Sequence, residues 1–265
     1  MSVPPVNEVV SSFIRDNAND LLVLRGRWGV GKTYFWNTLI SEASKKGEIE
    51  YGHYSYISLF GINSVEELRN AIIAGRVQSS RINRENALFS GVKKFFKEAE
   101  NLPKIREWTG GLASYYLFPL VKGTLVCLDD LERKGKDLDF KDLFGLVLML
   151  KEQLNCKIAV IANEGTLVAE ERDSFRRHGE KLIDIEVEFV QVPEVAFSYA
   201  FGKRSFAYDE ARNACLNLNI TNIRILQRTH RFLRKLEPVL KKCEPLLIRQ
   251  VVKNSGALRL VFLRP

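Results

Sequence analysis

The sequence has few cysteines and histidines, and this scarcity excludes two classes of protein. Its 265 residues include four cysteines and three histidines. The cysteines lie far apart, form no CxxC pair and have no histidine at ligand spacing, so neither a disulfide framework nor a zinc site is expected. We expect reduced thiols buried in the core, which is typical of cytoplasmic proteins.

Long apolar runs are also missing. The nearest approach is Leu112–Leu128, which Lys122 interrupts, so no transmembrane helix is predicted. The segment Met1–Pro5 lacks the basic and apolar regions of a secretion signal. We therefore expect no membrane span and a cytoplasmic location.

What the sequence does contain is typical of a globular protein with an uneven charge. Hydrophobic residues make up 46% and charged residues 27%, which argues against disorder, collagen and coiled coil. The net charge is +8, and Thr221–Pro265 carries eleven Lys and Arg against two Glu. A basic segment of this kind binds nucleic acid or an acidic partner, or is a solvated helical face; the sequence leaves these alternatives open.

Apolar runs that alternate with helical periodicity predict an α/β fold with a parallel sheet covered on both faces. The predicted strands are Leu21–Leu24, Tyr54–Phe60, Thr124–Leu128, Lys157–Ala162 and Ile183–Val190. Helices are predicted for Thr33–Lys45, from Ser64 toward Val77, and from Asp137 or Asp139 to Gln153. From Pro193 onward the pattern is helical, with one further strand predicted at Leu258–Leu263.

The interval from Gln78 to Lys122 interrupts this alternation. It combines basic residues with an amphipathic stretch that includes Leu88, Phe89 and Val92. We interpret it as a basic amphipathic insertion. The favoured structure is a helix packed on the core; a lid, a partner surface and a membrane-surface helix are the alternatives.

The strongest motif is Gly26–Thr33, which matches the phosphate-binding loop pattern G-x-x-x-x-G-K-[ST] between a buried strand and a helix. Amides at a helix N-terminus bind polyphosphate, and glycines allow the close approach. Lys32 is expected to bridge the β- and γ-phosphates, and the Thr33 hydroxyl to bind Mg²⁺. The nucleotide-binding residues are predicted to be Gly26, Arg27, Trp28, Gly29, Val30, Gly31, Lys32 and Thr33.

Polar side chains follow two later strands. Asp129 and Asp130 end the strand Thr124–Leu128, and we expect Asp129 to hold the Mg²⁺ shell while Asp130 orients or deprotonates water. Asn163 follows the strand Lys157–Ala162 and is expected to bind the γ-phosphate or the attacking water. Glu132 and Arg133 are interpreted either as further site residues or as a surface pair.

Three motifs together resemble the KAP family of P-loop NTPases, which is related to the STAND and AAA+ ATPases. They are Gly26–Thr33 with its tryptophan, Tyr56–Gly61, and Leu128–Arg133, with further similarity in Leu150–Ile158, Ile161–Glu164 and Glu180–Glu186. The resemblance covers about Val23 to Arg228. It implies an ATP-binding three-layer domain with a helical lid, in which Asn163 matches a sensor asparagine and Arg224 matches a lid arginine that contacts the nucleotide.

The resemblance also carries expectations about organisation. Arg176 and Arg177 loosely match a subunit-bridging arginine, which implies a homo-oligomer. We expect a core of residues 1–205, with the insertion at 78–122, followed by a basic helical lid segment at 206–265. Many family members carry membrane helices between the two nucleotide motifs and a downstream effector domain. Neither is recognisable here, although the family is prominent in bacterial defence and signalling.

These observations favour an Mg²⁺-dependent ATPase that acts as a slow conformational switch, with Lys32, Asp130, Asn163 and Arg224 in catalysis. The alternative is a nucleotide-gated module that contacts nucleic acid or a partner protein through the basic C-terminal segment with little turnover. A small-molecule kinase is a third hypothesis, which the paired strand-end carboxylates and the long C-terminal helices disfavour. The absence of an Asn-Lys-x-Asp run favours adenine over guanine.

Overall fold

The computed structural model describes residues 4–82, 117–203 and 205–262. The chain divides into two compact units. The first comprises Met1–Gly26 and Lys32–Glu188, and the second comprises Arg27–Gly31 and Phe189–Pro265. The second unit thus takes in the middle of the phosphate-binding loop. The predicted domain boundary after residue 205 stays a prediction.

The first unit is built on a six-stranded sheet with the order β3-β2-β4-β5-β1-β6. Every neighbouring pair is parallel except β2 and β3, which are antiparallel. The strands are β1 (Leu21–Arg25), β2 (His53–Ser58), β3 (Arg76–Gln78), β4 (Thr124–Asp129), β5 (Lys157–Ala162) and β6 (Ile185–Glu188). Strands β4 and β5 are buried along their whole length, which explains their nearly continuous apolar sequences.

Helices cover both faces of this sheet, as the alternation of elements predicts. They are α1 (Val6–Arg15), α2 (Lys32–Lys46), α3 (Val65–Ala74), α4 (Phe140–Glu152) and α5 (Ala169–Gly179). Alternate strand residues such as Val23, Val126 and Val160 join α3, α4 and α5 in one apolar cluster. On α2, the Trp36 indole N–H donates to the Tyr54 hydroxyl of β2 at 2.9 Å. The three-layer α/β prediction is confirmed.

Helix starts follow the predicted capping signals. The Ser64 side chain accepts a hydrogen bond from the backbone N–H of Glu67 at the start of α3. Asp139, rather than Asp137, caps α4 by accepting from the backbone N–H of Asp142. Each cap satisfies a backbone donor that the first helical turn leaves without an internal partner.

The second unit is helical in its described residues. Its helices are α6 (Pro193–Ala200), α7 (Tyr208–Asn217), α8 (Ile223–Leu240) and α9 (Pro245–Phe262). Their core includes Phe197 and Phe201, whose rings stack at 4.5 Å, together with Leu226 and Leu233 of α8. Asn222 caps α8 by accepting from the backbone N–H of Ile225.

Two sequence-based assignments were wrong. The helix predicted to run toward Val77 ends at Ala74, and Arg76–Gln78 forms β3, a strand too short for its alternation to be recognised. The strand predicted at Leu258–Leu263 is helical through Phe262, because α9 continues past the isolated Gly256. Strand β2 also ends at Ser58 instead of Phe60, and β6 covers only Ile185–Glu188 of the predicted Ile183–Val190.

The predicted basic insertion at 78–122 lies largely outside the described residues. At its edges the structure has short 3-10 turns, at Ser79–Arg81 and Phe118–Val121. None of the helices in the described part of the chain combines the length and the apolar character needed to cross a bilayer.

Candidate nucleotide-phosphate site

The phosphate-binding loop joins the end of β1 to the start of α2. In the first unit, the ammonium group of Lys32 donates a hydrogen bond to the carbonyl oxygen of Gly26, with 2.6 Å between Nζ and O. Lys32 is 9% exposed. The Lys32 side chain therefore turns back to the residue that begins its own loop. A phosphate oxygen bound in the loop would compete with the Gly26 carbonyl for the protons of the ammonium group.

Asp129 lies at the carboxyl edge of the sheet, and its carboxylate accepts three hydrogen bonds. Its Oδ2 accepts from the Thr33 hydroxyl at 2.7 Å and from the Tyr56 hydroxyl at 2.6 Å. Its Oδ1 accepts from the backbone N–H of Asp130 at 2.7 Å. Strands β2 and β4 are neighbours, and the loop after β1 leads into Thr33, so three separate segments converge on this carboxylate.

The environment of Asp129 is unfavourable for a bare negative charge. Burial, and after it the nearby Asp130 carboxylate, raise the pKa of Asp129 from 3.8 to about 6, although three hydrogen bonds oppose the shift. Only 3% of the residue is exposed. A cation beside this carboxylate would offset both the desolvation and the repulsion.

The Thr33–Asp129 pair fits a magnesium site. Mg²⁺ binds oxygen ligands and is typically held by one or two protein groups together with phosphate oxygens and water. A hydroxyl and a carboxylate that already meet at 2.7 Å supply such a pair. In the described residues no group of three or more His, Cys, Asp and Glu is arranged to hold a metal ion.

Asp130 differs from its neighbour in conformation and in exposure. Its backbone is left-handed, with φ 57° and ψ 40°, a region that Asp and Asn enter more easily than most residues. Its Oδ2 accepts from the Ser58 hydroxyl at 2.7 Å, and the Arg133 guanidinium lies 3.8 Å from Oδ1. The guanidinium of Arg133 also lies 4.1 Å from the centre of the exposed Phe60 ring.

Asn163 follows β5, which lies between β1 and β4 in the sheet. Its backbone N–H donates to Glu132 Oε2 at 3.1 Å. The residue is 4% exposed, and its side-chain Nδ2 has no hydrogen-bond partner among the described residues. A buried amide donor without a partner is costly, and a ligand oxygen or a water molecule would satisfy it.

In the second unit, the middle of the loop is bound to the start of α8. The Asn222 side-chain amide donates to the Trp28 carbonyl at 3.0 Å, and the Ile223 backbone N–H donates to the Gly29 carbonyl at 2.8 Å. The Arg224 guanidinium lies 4.7 Å from the centre of the Trp28 ring, a cation–π contact. Two donors at the N-terminus of α8 are thus satisfied by loop carbonyls.

This packing explains two loop glycines in addition to their expected contact with phosphate. Gly29 has φ +81° and Gly31 has φ +102°, both in the left-handed region. A Cβ added at Gly29 would lie 2.3 Å from Asn222 Oδ1, and one at Gly31 would lie 2.8 Å from Ile223 Cδ1. Any side chain at Gly29 would displace the residue that caps α8.

The structure groups most of the predicted site residues. In the first unit, Thr33 contacts Asp129 directly, Asp130 follows on the same strand end, and Asn163 follows the adjacent strand. In the second unit, Arg224 contacts Trp28. Of the remaining predicted loop residues, Val30 is buried at 4% exposure and Arg27 is exposed. Arg176 is 3.9 Å from Glu164, with 64% of its side chain exposed.

Sequence reasoning missed Tyr56, Ser58 and Asn222 as contacts of the site. Tyr56 and Ser58 are separated by one residue on β2, so both point to the same face. Both also lie in the motif Tyr56–Gly61, so the motif and this spacing are the signals in the sequence that could have identified them. Their pairing with Asp129 and Asp130 depends on β2 lying beside β4, which no local pattern encodes.

One comparison with a solved structure supports the fold. The structure is similar to that of Drosophila ORC bound to DNA, with a TM-score of 0.52 and 14% identity over 93% of this chain and 58% of that chain. The fold is that of a P-loop NTPase. C. elegans PCH-2 and Thermotoga maritima RuvB have TM-scores of 0.43 each, with 15% and 13% identity. The PCH-2 match covers 97% of this chain and 68% of that one, and the RuvB match covers 97% and 70%.

The sequence comparisons are negative. No protein-family model and no curated protein matches the sequence, so the KAP resemblance stays a prediction. The chain spans 58% of the length of the ORC chain that it resembles. Activity, substrate and partners are therefore matters for proposal.

Proposed function

We propose that this chain binds ATP with Mg²⁺ and hydrolyses it slowly as a nucleotide-driven conformational switch. The observation that carries the proposal is the 2.7 Å contact between the Thr33 hydroxyl and the buried Asp129 carboxylate. A phosphate-loop threonine and a strand-end acid are the two protein groups that hold Mg²⁺ in P-loop NTPases. The bound metal would neutralise charge on the phosphates.

Each residue has a distinct part in this proposal. Lys32 exchanges its bond with the Gly26 carbonyl for the β- and γ-phosphates, and Thr33 and Asp129 hold the metal. Asp130 orients the attacking water and accepts its proton. The unpartnered amide of Asn163 donates to the γ-phosphate or to that water. Arg224 is proposed to contact the nucleotide in exchange for its contact with Trp28.

Slow turnover is supported by the contacts of Asp130. Its carboxylate already accepts from Ser58 at 2.7 Å and faces Arg133 at 3.8 Å. Both contacts hold the carboxylate and compete with water for its oxygen atoms. The alternative hypothesis is a nucleotide-gated binding module with little turnover. It binds the same nucleotide, but its output is contact with nucleic acid or a partner protein through the basic C-terminal segment.

The wider setting is also a proposal. The motif resemblance to the KAP family supports a switch in bacterial defence or signalling that forms a homo-oligomer with ATP–Mg²⁺, and the four free cysteines support a cytoplasmic location. Size-exclusion chromatography with light scattering, with and without the nucleotide, measures the assembly directly.

Calorimetry of ATP binding, with Mg²⁺ and with EDTA, tests the proposal. We expect binding that is stronger with Mg²⁺, and we expect Asp129→Asn to remove most of the metal-dependent gain. Asp137→Asn, an exposed acid beyond the site, is the matched control and should keep that gain. Equal ATP affinity with and without Mg²⁺, or no ATP binding by the wild type, would refute the proposal.

A further inference from the structure

Helix α8 of the second unit has one apolar face and one basic face. Its buried residues include Leu226, Thr229 and Leu233. Arg228, Arg231 and Lys235 lie on the opposite side and are exposed; these three are called the basic row. At about 100° per residue they fall within an arc of roughly 60° that also contains Arg224.

The basic row has no counter-charge in the described part of the chain. None of its three side chains forms a hydrogen bond, an ion pair or a cation–π contact with a described residue. Glu237 is the only acid within α8, and it pairs with Lys241 at 2.7 Å. Three neighbouring cations that repel one another are therefore held in line by a rigid helix.

We propose that the basic row binds the phosphate backbone of duplex DNA. Duplex DNA carries one negative charge per about 1.7 Å of its axis, whereas the row together with Arg224 extends over roughly 16 Å of helix. Several phosphates can thus lie within reach of the row. The arginine side chains suit phosphate because a guanidinium donates two parallel hydrogen bonds to its oxygen atoms.

The composition of this face argues against the other polyanions. The fully buried centre of a protein interface is largely apolar, whereas the centre of this face is the pair of charged side chains Arg228 and Arg231. Single strands are bound largely by stacking successive bases on several aromatic side chains, whereas Phe232 is the one exposed aromatic side chain of α8. Duplex RNA is recognised largely through contacts to its 2′-hydroxyls. Beside the row, Gln227 is the one neutral polar side chain that could make such a contact.

The proposal is independent of ATP turnover, so it is tested on the whole chain without nucleotide. Fluorescence anisotropy with a mixed-sequence DNA duplex of about 30 base pairs is measured from about 50 to 200 mM KCl, where phosphate contacts weaken with salt. Affinity falls as salt rises, so the slope of log affinity against log salt is negative. The triple variant Arg228→Ala, Arg231→Ala and Lys235→Ala should make this slope shallower by about 2.7, or 0.9 per lost contact.

Matched variants separate the row from overall charge. Replacing Lys45, Lys46 and Lys141, exposed lysines of α2 and α4, by alanine removes the same charge and should leave the slope unchanged. Arg228→Gln with Arg231→Gln removes two charges but keeps long side chains that favour a helix, and it should make the slope shallower by about 1.8. This variant keeps the test decisive if the alanine triple variant fails to fold.

Four results would overturn the proposal. They are no DNA binding by the wild type at about 50 mM salt, an equal loss of slope in the lysine control variant, an unchanged slope in the arginine-to-glutamine variant, and tighter binding of a matched RNA duplex or of polyglutamate than of DNA.

Discussion

Adjacent carboxylates at the end of β4 have different environments, and the difference predicts different roles. Asp129 is buried and accepts three hydrogen bonds, whereas Asp130 has 29% of its side chain exposed and contacts Ser58 and Arg133. A buried acid that contacts Thr33 is suited to hold a metal. A partly exposed acid on a left-handed residue is suited to meet water, because strained backbone is concentrated at functional sites.

Replacing Asp130 by asparagine tests this division of roles. Asparagine tolerates the left-handed backbone, so the variant should fold, bind ATP–Mg²⁺ within a few-fold of the wild type and lose turnover. Phosphate release is the measurement, with Asp137→Asn as the control that keeps turnover. Wild-type hydrolysis by Asp130→Asn would show that the role is misassigned, and Glu132 would become the candidate base.

The raised pKa of Asp129 predicts how stability depends on pH in the metal-free protein. The folded-state pKa of about 6 exceeds the ordinary 3.8. The stability that this group contributes is therefore complete below pH 3.8 and is lost as the pH rises through 6. A shift of this size corresponds to about 3 kcal/mol.

Urea unfolding in EDTA measures this effect as a difference. The free energy of unfolding of the wild type minus that of Asp129→Asn should fall by most of about 3 kcal/mol between roughly pH 4 and pH 7.5. The same difference for Asp137→Asn should be flat. A flat difference for Asp129→Asn as well would mean that the carboxylate is hydrated in solution.

At the scale of elements, the loop and α8 are built together within the second unit. Loop carbonyls of Trp28 and Gly29 accept hydrogen bonds from Asn222 and Ile223. The loop glycines therefore serve helix packing in addition to the proposed contact with phosphate. A change in the loop that moves either carbonyl would be felt first at the N-terminus of α8.

Replacing Gly29 by alanine should destabilise the protein by more than backbone strain alone. Left-handed backbone costs an L-residue about 1–2 kcal/mol, and the new Cβ would also lie 2.3 Å from Asn222 Oδ1. Gly47→Ala is the matched control, since Gly47 has φ +67° and no atom within 4 Å of an added Cβ. Equal losses in urea unfolding for the two variants would contradict the contact with Asn222.

The sequence was sufficient for the elements that carry strong local signals. The loop motif, the apolar runs of β4 and β5, and the cap Ser64 each depend on neighbours within a few residues, whereas the cap of α4 stayed open between Asp137 and Asp139. Strand β3 was missed because its three residues are too few to show an alternating pattern. It pairs with β2 at the edge of the sheet, and no local pattern predicts that pairing. The contacts of Tyr56 and Ser58 with the two carboxylates were missed because they join segments about 70 residues apart.

At the scale of the whole molecule, we propose that ATP binds at the phosphate-binding loop and DNA at α8. The first proposal depends most on Lys32, because the lysine of a phosphate-binding loop contacts the nucleotide phosphates. Lys32 is 9% exposed and its ammonium group already lies 2.6 Å from the Gly26 carbonyl. The ammonium group therefore has to move only a short distance to reach a phosphate bound in the loop.

Titration calorimetry of ATP–Mg²⁺ binding by Lys32→Ala and by the wild type tests whether ATP binds at this loop. A charge-assisted phosphate contact contributes about 1.5–3 kcal/mol, so the variant should bind roughly ten- to a hundredfold more weakly. Lys45→Ala, an exposed lysine on the same helix, should bind like the wild type. Equal ATP–Mg²⁺ affinity for Lys32→Ala and the wild type would refute ATP binding at the phosphate-binding loop.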